Sequence, residues 1–454
     1  MMVVPGRPAD AIGMQGPNGC IARAGLDQSG AKGTNVSKRF QWFCEQSMAD
    51  LSALKKIVGP NGWSDDPGAL SSLLAEPRGL YVGATPLVVR PDTTGQVAAI
   101  ASECRRAGIP LVPQGGNTGL CGGATPDKGG EQVLISLSRM NRIREIDVTN
   151  RRIIAESGVV NIWVSAAVKD AGLYYAPDPS SQPACTIGGN VAENAAGPHT
   201  LKYGVTADHV LGVELVLPDG QLVELGGVVE DPPGYDLTGL VVGSEGTFGI
   251  VTAATLRLLR QPEATRTFLA VYESVDEASE AVSGLIAGGI IPAALEMMDR
   301  LIIEAVEAAY HFGFPSDAGA VLIIELDGMA AALEEEGERV LAVVRGSGAR
   351  EVRMARDDKE RADLWKSRKR AFGAIGRLAP NYCTQDGVVP RTRLPEILRR
   401  IGAAAAKYRI RIANVFHAGD GNIHPLMLYD ERDPDEVRRV LDAGAEILAA
   451  CVEL

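Results

Sequence analysis

PLVPQGGNTGLCGGATP, residues 110–126, sets glycines 115, 116, 119, 122 and 123 between two apolar runs. Glycine carries no Cβ, so successive amides can turn inward at backbone angles other residues resist and form a nest of N–H donors suited to phosphate. The stretch holds no Lys or Arg, so a diphosphate there would meet backbone dipoles together with Gln114, Asn117 and Thr118. A glycine cluster alone equally fits a glycine-rich hairpin connection. The element after the loop discriminates among nucleotide folds. The chain turns at Pro126-Asp127-Lys128-Gly129 and enters EQVLISL, which reads as a strand. A dinucleotide-binding Rossmann fingerprint needs its glycines to open a helix. No GxxxxGK[ST] phosphate loop occurs anywhere in the chain.

At 454 residues the chain is too long for one core and should divide into two or three domains. It is 46% hydrophobic and 22% charged, which is ordinary globular usage. No apolar run approaches the ~20 residues of a membrane helix. The net charge of -12 disfavours nucleic acid and anionic membranes as partners. Cysteines 20, 44, 104, 121, 185, 383 and 451 are odd in number and never spaced as CxxC, so neither a disulfide framework nor a cysteine metal site is indicated, and a reducing compartment fits.

Residues 1–47 show neither helical nor strand period and read as a disordered leader without the basic start of a signal peptide. A helix is expected from Ser47, with Leu51, Leu54 and Ile57 on one face and Gly59-Pro60 ending it. A strand at 86–90, a helix at 94–107 with Val97, Ile100, Ala101 and Cys104 inward, and a strand at 109–112 make a βαβ unit. After the glycine loop come a hairpin (144–148 with 152–158) and a helix at 162–171. The stretch APDPSSQPACTIGGNVAENAAGPHTLKYG, 176–204, then keeps the chain extended through its prolines. Gly188 and Gly189 let it pass close to another body, and a short helix at 191–196 is expected to point its amino end at an anion. So long an irregular span within a compact domain is usually functional or disordered, and its apolar and amide content argues against disorder. A third glycine-rich turn, Gly243 to Gly249 in GLVVGSEGTFGIVTAATLRLL, runs into a strand, closing a first α+β domain near Gln261. From Ala264 strands and helices alternate with short joints, as two βαβ repeats on an antiparallel sheet of ferredoxin-like layout.

Four motifs, PLVPQGGNTGLCGG, APDPSSQPACTIGGNVAENAAGPHTLKYGVTADHVLG, GSEGTFGIVT and FHAGDGNIHP, occur in this order. Together they resemble the FAD-linked oxidases of the vanillyl-alcohol oxidase and para-cresol methylhydroxylase (PCMH) type over residues 48–454. More narrowly the chain is similar to the glycolate oxidase flavoprotein subunit and the D-lactate and D-2-hydroxyglutarate dehydrogenases. The resemblance implies a fold of α+β class: a two-subdomain PCMH-type FAD-binding domain at 48–263, then a ferredoxin-like substrate or cap domain at 264–454. It implies FAD held non-covalently, with Pro113, Gln114, Gly115, Gly116, Asn117, Thr118, Gly119 and Gly123 on the diphosphate. Pro179, Thr186, Gly188, Gly189, Asn190 and Asn194 would serve the flavin side, and Gly243, Glu245, Gly246 and Ile250 the adenine and ribose. His199 lies in a motif that relatives use without a covalent flavin bond.

On the substrate side, His417 and His424 bracket the loop AGDGNI, seven positions apart. On a strand that odd separation would put them on opposite faces, and a Gly-Asp-Gly turn is what could aim both into one site. Two imidazoles make half of a divalent metal site, which carboxylate or water would complete. Hydroxyglutarate-type relatives use this pattern for a metal, zinc being the implied ion, and His417 and His424 carry over as ligands, with Asn422 beside them in the site. Arg368 in WKSRKRAF matches a substrate-carboxylate arginine, whose fork suits a planar carboxylate. Thr384 stands where hydroxyglutarate enzymes carry a lysine, which favours a short monocarboxylate such as glycolate or D-lactate. The resemblance further implies flavoprotein and iron–sulfur partner subunits, a non-oxygen electron acceptor, and a cytoplasmic protein peripheral to the membrane through those partners. In the family a Glu-His-Gly motif comes after the terminal helix. This sequence stops at Leu454 before it, so a fragment or an impaired product is expected.

Overall fold

A computed structural model describes residues 50–454 apart from 78, 80 and 230–232. The expected leader and the start of the helix at Ser47 lie outside the described residues. The remainder of that helix, α1 (Ser52–Val58), ends at Gly59 with φ 71°. Residues 51–454 pack as one unit.

The expected βαβ unit is present as β2 (Val88–Val89), α2 (Thr94–Ala107) and β3 (Leu111–Gln114). Thr93 caps α2, Gly108 closes it in the left-handed conformation, and its buried residues are Val97, Ile100, Ala101 and Cys104. The glycine loop then delivers the chain to β4 (Val133–Ser136), which inserts between β2 and β3 and runs parallel to both. With β1 (Trp63–Ser64) on the outer edge, the sheet order is β1-β2-β4-β3. A strand therefore succeeds the glycines, as the sequence indicated.

A second, antiparallel sheet has the order β5-β6-β9-β7-β8, from β5 (Ile143–Asp147), β6 (Arg152–Glu156), β7 (Val210–Val216), β8 (Leu222–Gly226) and β9 (Ile250–Arg257). Against it packs α3 (Ile187–Glu193), burying Ile187 and Val191 in a core with Ile153, Val213 and Leu256. The helix thus begins four residues before the expected 191, because Thr186 caps it and its glycines fit close packing. It is seven residues long, and its first turn carries Gly188 and Gly189.

The later half is built on β10 (Ala264–Tyr272), α4 (Val275–Ala287), β11 (Ala294–Asp299), α5 (Arg300–Tyr310), β12 (Ala320–Gly328), α6 (Ala330–Gly346) and β13 (Glu351–Met354). The strands lie in the order β13-β10-β12-β11, all neighbours antiparallel. That is the ferredoxin-like order, with α5 added between its second and third strands. Next come α7 (Asp358–Ala374), β14 (Asn381–Thr384), β15 (Gly387–Val388), α8 (Leu394–Tyr408), β16 (Arg411–His417), β17 (Asn422–Ile423), β18 (Pro425–Tyr429) and α9 (Pro434–Glu453). β16 extends the sheet beside β11, in a register that sets His417 opposite Glu296. Strands β11 and β12 are buried on both faces, so every side chain there must be apolar or paired.

Candidate active site

Three glycine-rich stretches far apart in sequence converge on one cleft. Pro113, Gln114, Gly115 and Gly123 line it from the first, Gly188 and Gly189 from the second, and Glu245, Gly246 and Ile250 from the third. A Cβ on Gly115 would stand 2.4 Å from Thr186 Oγ1, and one on Gly116 2.5 Å from the Ala184 carbonyl oxygen, so only glycine permits this contact between the first two stretches. The third is tied to α3 by backbone bonds from Gly243 and Glu245 to the carbonyls of Val191 and Ala192 (2.8 and 2.9 Å).

The side chains expected to grip the cofactor are mostly spent on framing the cleft. Gln114 Nε2 donates to the carbonyls of Leu73 and Ala124, both at 2.9 Å. Its Oε1 is buried without a hydrogen-bond partner among the described residues. Asn117, in the left-handed region, donates to the Ala75 carbonyl at 2.9 Å. Asn190 Oδ1 accepts from Asn161 Nδ2 (2.9 Å), and Asn194 ends α3 with its Oδ1 accepting from the Ala207 N–H (2.9 Å). Thr118, Gly119 and Pro179 lie outside the lining; the Pro179 carbonyl accepts from the Gln182 N–H. Glu193, which sequence reasoning passed over, does line the cleft. Burial, and then the charge of Glu245, push its carboxyl above the ordinary range. Backbones too close for side chains and an orphaned buried acceptor fit a bound flavin dinucleotide.

In the later half, the turn after β16, with Gly421 at φ 81°, pairs His417 with Asn422 and brings the His417 and His424 rings to 5.1 Å, edge to face. His417 Nδ1 lies 2.6 Å from Glu296 Oε1, and His424 Nδ1 lies 3.2 Å from the Val415 carbonyl oxygen. In those contacts each Nδ1 is the donor, so in the neutral ring Nε2 is the acceptor. Asn422 Nδ2 donates to Asp386 Oδ1 at 2.6 Å, and Asp386 Oδ2 is 3.7 Å from His424 Nε2. Among the described residues no group of three or more His, Cys, Asp or Glu side chains is disposed to hold a metal. The imidazole pair supplies two ligands at most.

Arg368 is 3% exposed, with Nε 2.6 Å from Glu296 Oε2. That contact is an ion pair without hydrogen-bond geometry, and Arg368 Nε and Nη2 and Glu296 Oε2 are all buried without a hydrogen-bond partner among the described residues. Lys369 and Arg370 are exposed, as a solvated basic helix face requires. Glu296, fully buried, thus joins Arg368 to His417. Burial works to raise its pKa, but His417 and Arg368 outweigh it and hold the carboxyl below the ordinary range. Sequence reading missed this residue, although a lone Glu in the otherwise apolar strand ALEM was a visible signal. Glu325 in AVLIIEL is the parallel case. Thr384 is buried on β14 opposite Leu426.

The chain matches two family descriptions, "FAD binding domain" over residues 85–226 and "FAD linked oxidases, C-terminal domain" over 261–454. It is 47% identical over 368 residues to the glycolate oxidase subunit GlcD of Escherichia coli K12, covering 81% of this chain and 73% of that one. To the protein of that name from Bacillus subtilis it is 40% identical over 402 residues, covering 88% and 85%. To a D-lactate dehydrogenase of Anaerostipes hadrus it is 33% identical, covering 79% and 77%. Among solved structures, p-cresol methylhydroxylase aligns with a TM-score of 0.74 at 17% identity, over 88% of this chain and 86% of the other, a likeness of fold.

Proposed function

The chain belongs to the FAD-linked oxidases and is a flavin-dependent oxidoreductase, and from that premise we propose that it oxidises a short D-2-hydroxy acid, glycolate or D-lactate, to the 2-oxo acid. FAD, when bound, supplies a two-electron acceptor for the hydride leaving the α-carbon. In this reading residues 48–263 bind the cofactor and 264–454 bind the acid. The observation that carries the substrate class is the Arg368 guanidinium, buried and fixed by Glu296, with an unpaired Nη2. A carboxylate is the partner such a nitrogen lacks, and a bound carboxylate is thereby oriented at the reacting carbon. His417 and His424, each with Nδ1 committed, present Nε2 acceptors. These suit them either to take the hydroxyl proton or to hold a divalent ion such as zinc, and metal analysis separates the two. Asn422 is held beside them by Asp386. Thr384 offers no cation for a second carboxylate, which supports a monocarboxylate.

Electrons pass in this reading to a non-oxygen acceptor through partner subunits, which the name "subunit" of the bacterial relatives supports. Among the described residues no helix is long and apolar enough to cross a membrane; in this reading the protein is cytoplasmic and reaches the membrane through those partners. Anaerobic mixing of flavin-loaded protein with glycolate or D-lactate should bleach the flavin absorbance. A preparation that binds FAD and stays oxidised with both acids sinks the reading.

A further inference from the structure

One chain of contacts, part-buried at His199 and Asp178 and buried at Glu325, runs from the flavin-side stretch to the acid-binding groups, and the proposed reaction does not yet use it. His199 Nδ1 lies 2.8 Å from Asp178 Oδ2, beside Pro179. Its Nε2 lies 3.7 Å from Glu325 Oε1 on β12, and its ring stacks on the Trp365 indole with centroids 5.6 Å apart. Glu325, 1% exposed, also accepts from Thr267 Oγ1 (2.7 Å), Arg361 Nε and Nη2 (2.8 and 2.7 Å) and Trp365 Nε1 (2.6 Å). Lys202 and Tyr203 then engage Asp327, two residues further along β12. Arg361, Trp365 and Arg368 stand at i, i+4 and i+7 of α7 and therefore share one helix face. The first two hold Glu325, and the third holds Glu296 and, through it, His417.

We propose that His199, bridging Asp178 and Glu325, is a positioning residue that fixes the flavin-side stretch in register with helix α7, and so sets the distance between the flavin and the acid held by Arg368. This rests on the reading of the chain as a hydroxy-acid oxidase. Both ring nitrogens face carboxylates, so the imidazole is held as a cation: burial opposes the charge, but Asp178 and Glu325 outweigh it and push the pKa up to about 10. A cation between two carboxylates resists displacement in a way a neutral side chain does not. Arg368, His417, His424 and Asn422 all lie on the later half, and the three glycine-rich stretches on the earlier one. Loosening the bridge therefore leaves binding of the acid intact and lowers the rate at which hydride crosses.

The test is anaerobic stopped-flow reduction of flavin-loaded wild type and His199→Gln by glycolate and D-lactate, separating the apparent Kd from the limiting rate. The expected result is retained FAD, an apparent Kd within about threefold, and a limiting rate lower by about tenfold or more, since misplacement by an ångström costs on the order of a hundredfold. An unchanged limiting rate overturns the inference, as does a raised Kd with the limiting rate intact. Should His199→Gln fail to fold, Asp178→Asn, which leaves the other partners of Glu325 in place, is read by the same criteria. If wild type is reduced by neither acid, the functional reading fails and the bridge is judged by nuclear magnetic resonance of 13C-histidine protein. A His199 signal protonated at pH 8 supports it, and a neutral one overturns it.

Discussion

Replacing Glu296 by Gln keeps the shape of the side chain and removes the charge that Arg368 and His417 share. Glu296 is fully buried and Arg368 is 3% exposed, so neither can turn to water when the other is lost. Removing one partner of a buried ion pair costs about 3–5 kcal/mol, because the remaining charge stays buried and uncompensated. For a single unit spanning residues 51–454 each kcal/mol moves Tm by about 1–2 °C, so the variant should melt about 3–10 °C below wild type. Differential scanning calorimetry of flavin-loaded protein measures this. The explanation makes a second demand. Arg368→Met placed in the Glu296→Gln background removes the orphaned guanidinium, and the double variant should be more stable than the sum of the two single losses, by about 2 kcal/mol or more. A Glu296→Gln protein melting within about 2 °C of wild type would refute the buried-pair argument. Strict additivity in the cycle would refute the direct coupling of Glu296 to Arg368.

Gly116→Val puts a Cβ 2.5 Å from the Ala184 carbonyl oxygen, so the first two glycine-rich stretches should separate and the protein should purify without a flavin spectrum. Retention of the yellow colour would show that the loop is not part of the cofactor site. Elemental analysis should find about one divalent ion per chain in wild type if the Nε2 pair is a ligand pair, and none in His417→Ala or His424→Ala; equal metal content in all three leaves the imidazoles as proton acceptors. The His199 charge makes a signed pH prediction. Its folded pKa of about 10 exceeds the ordinary 6.5, so its stabilisation is complete below pH 6.5, declines as the unfolded chain loses its proton, and is gone once pH rises through 10. The Tm gap between wild type and His199→Gln should be largest near pH 6 and close toward pH 10. The facing charges are Asp178 and Glu325, with Arg361 behind the latter. A gap constant over that range contradicts the assignment.

Much of the fold was legible because its signals are local. The inward residues of α2 can be read from spacing alone, and the strand after the glycine loop from EQVLISL. Those features depend on neighbours within a few positions. Helix α3 was misplaced for the opposite reason: Gly188 and Gly189 read as a point of close approach ahead of the helix, yet Thr186 caps the segment and packing against the second sheet overrides propensity. The amides of Gln114 and Asn117 read as ligands from their place in the loop. They also donate to the carbonyls of Leu73 and Ala75, some forty residues earlier, which no spacing rule connects to them, and Gln114 donates to Ala124 within the loop as well.

The two glutamates show where sequence reading could have gone further. A strand buried on both faces excludes an unpaired carboxylate, so Glu296 and Glu325 had to possess buried cationic or donor partners. On helix α7, Lys369 and Arg370 read as a solvated basic face and Arg368 as a carboxylate ligand, with Arg361 and Trp365 given no role. The same helix at i, i+4 and i+7 carries Arg361, Trp365 and Arg368, and that narrow stripe is what the two strands require. Matching an unexplained charge in an apolar strand to an unexplained stripe on a later helix would have joined them without coordinates. On the proposed reading, one helix then both binds the acid and carries the register of the cofactor stretch. The residues that do each task differ by one or two turns on a single rigid element, so a shift at Trp365 is necessarily a shift at Arg368.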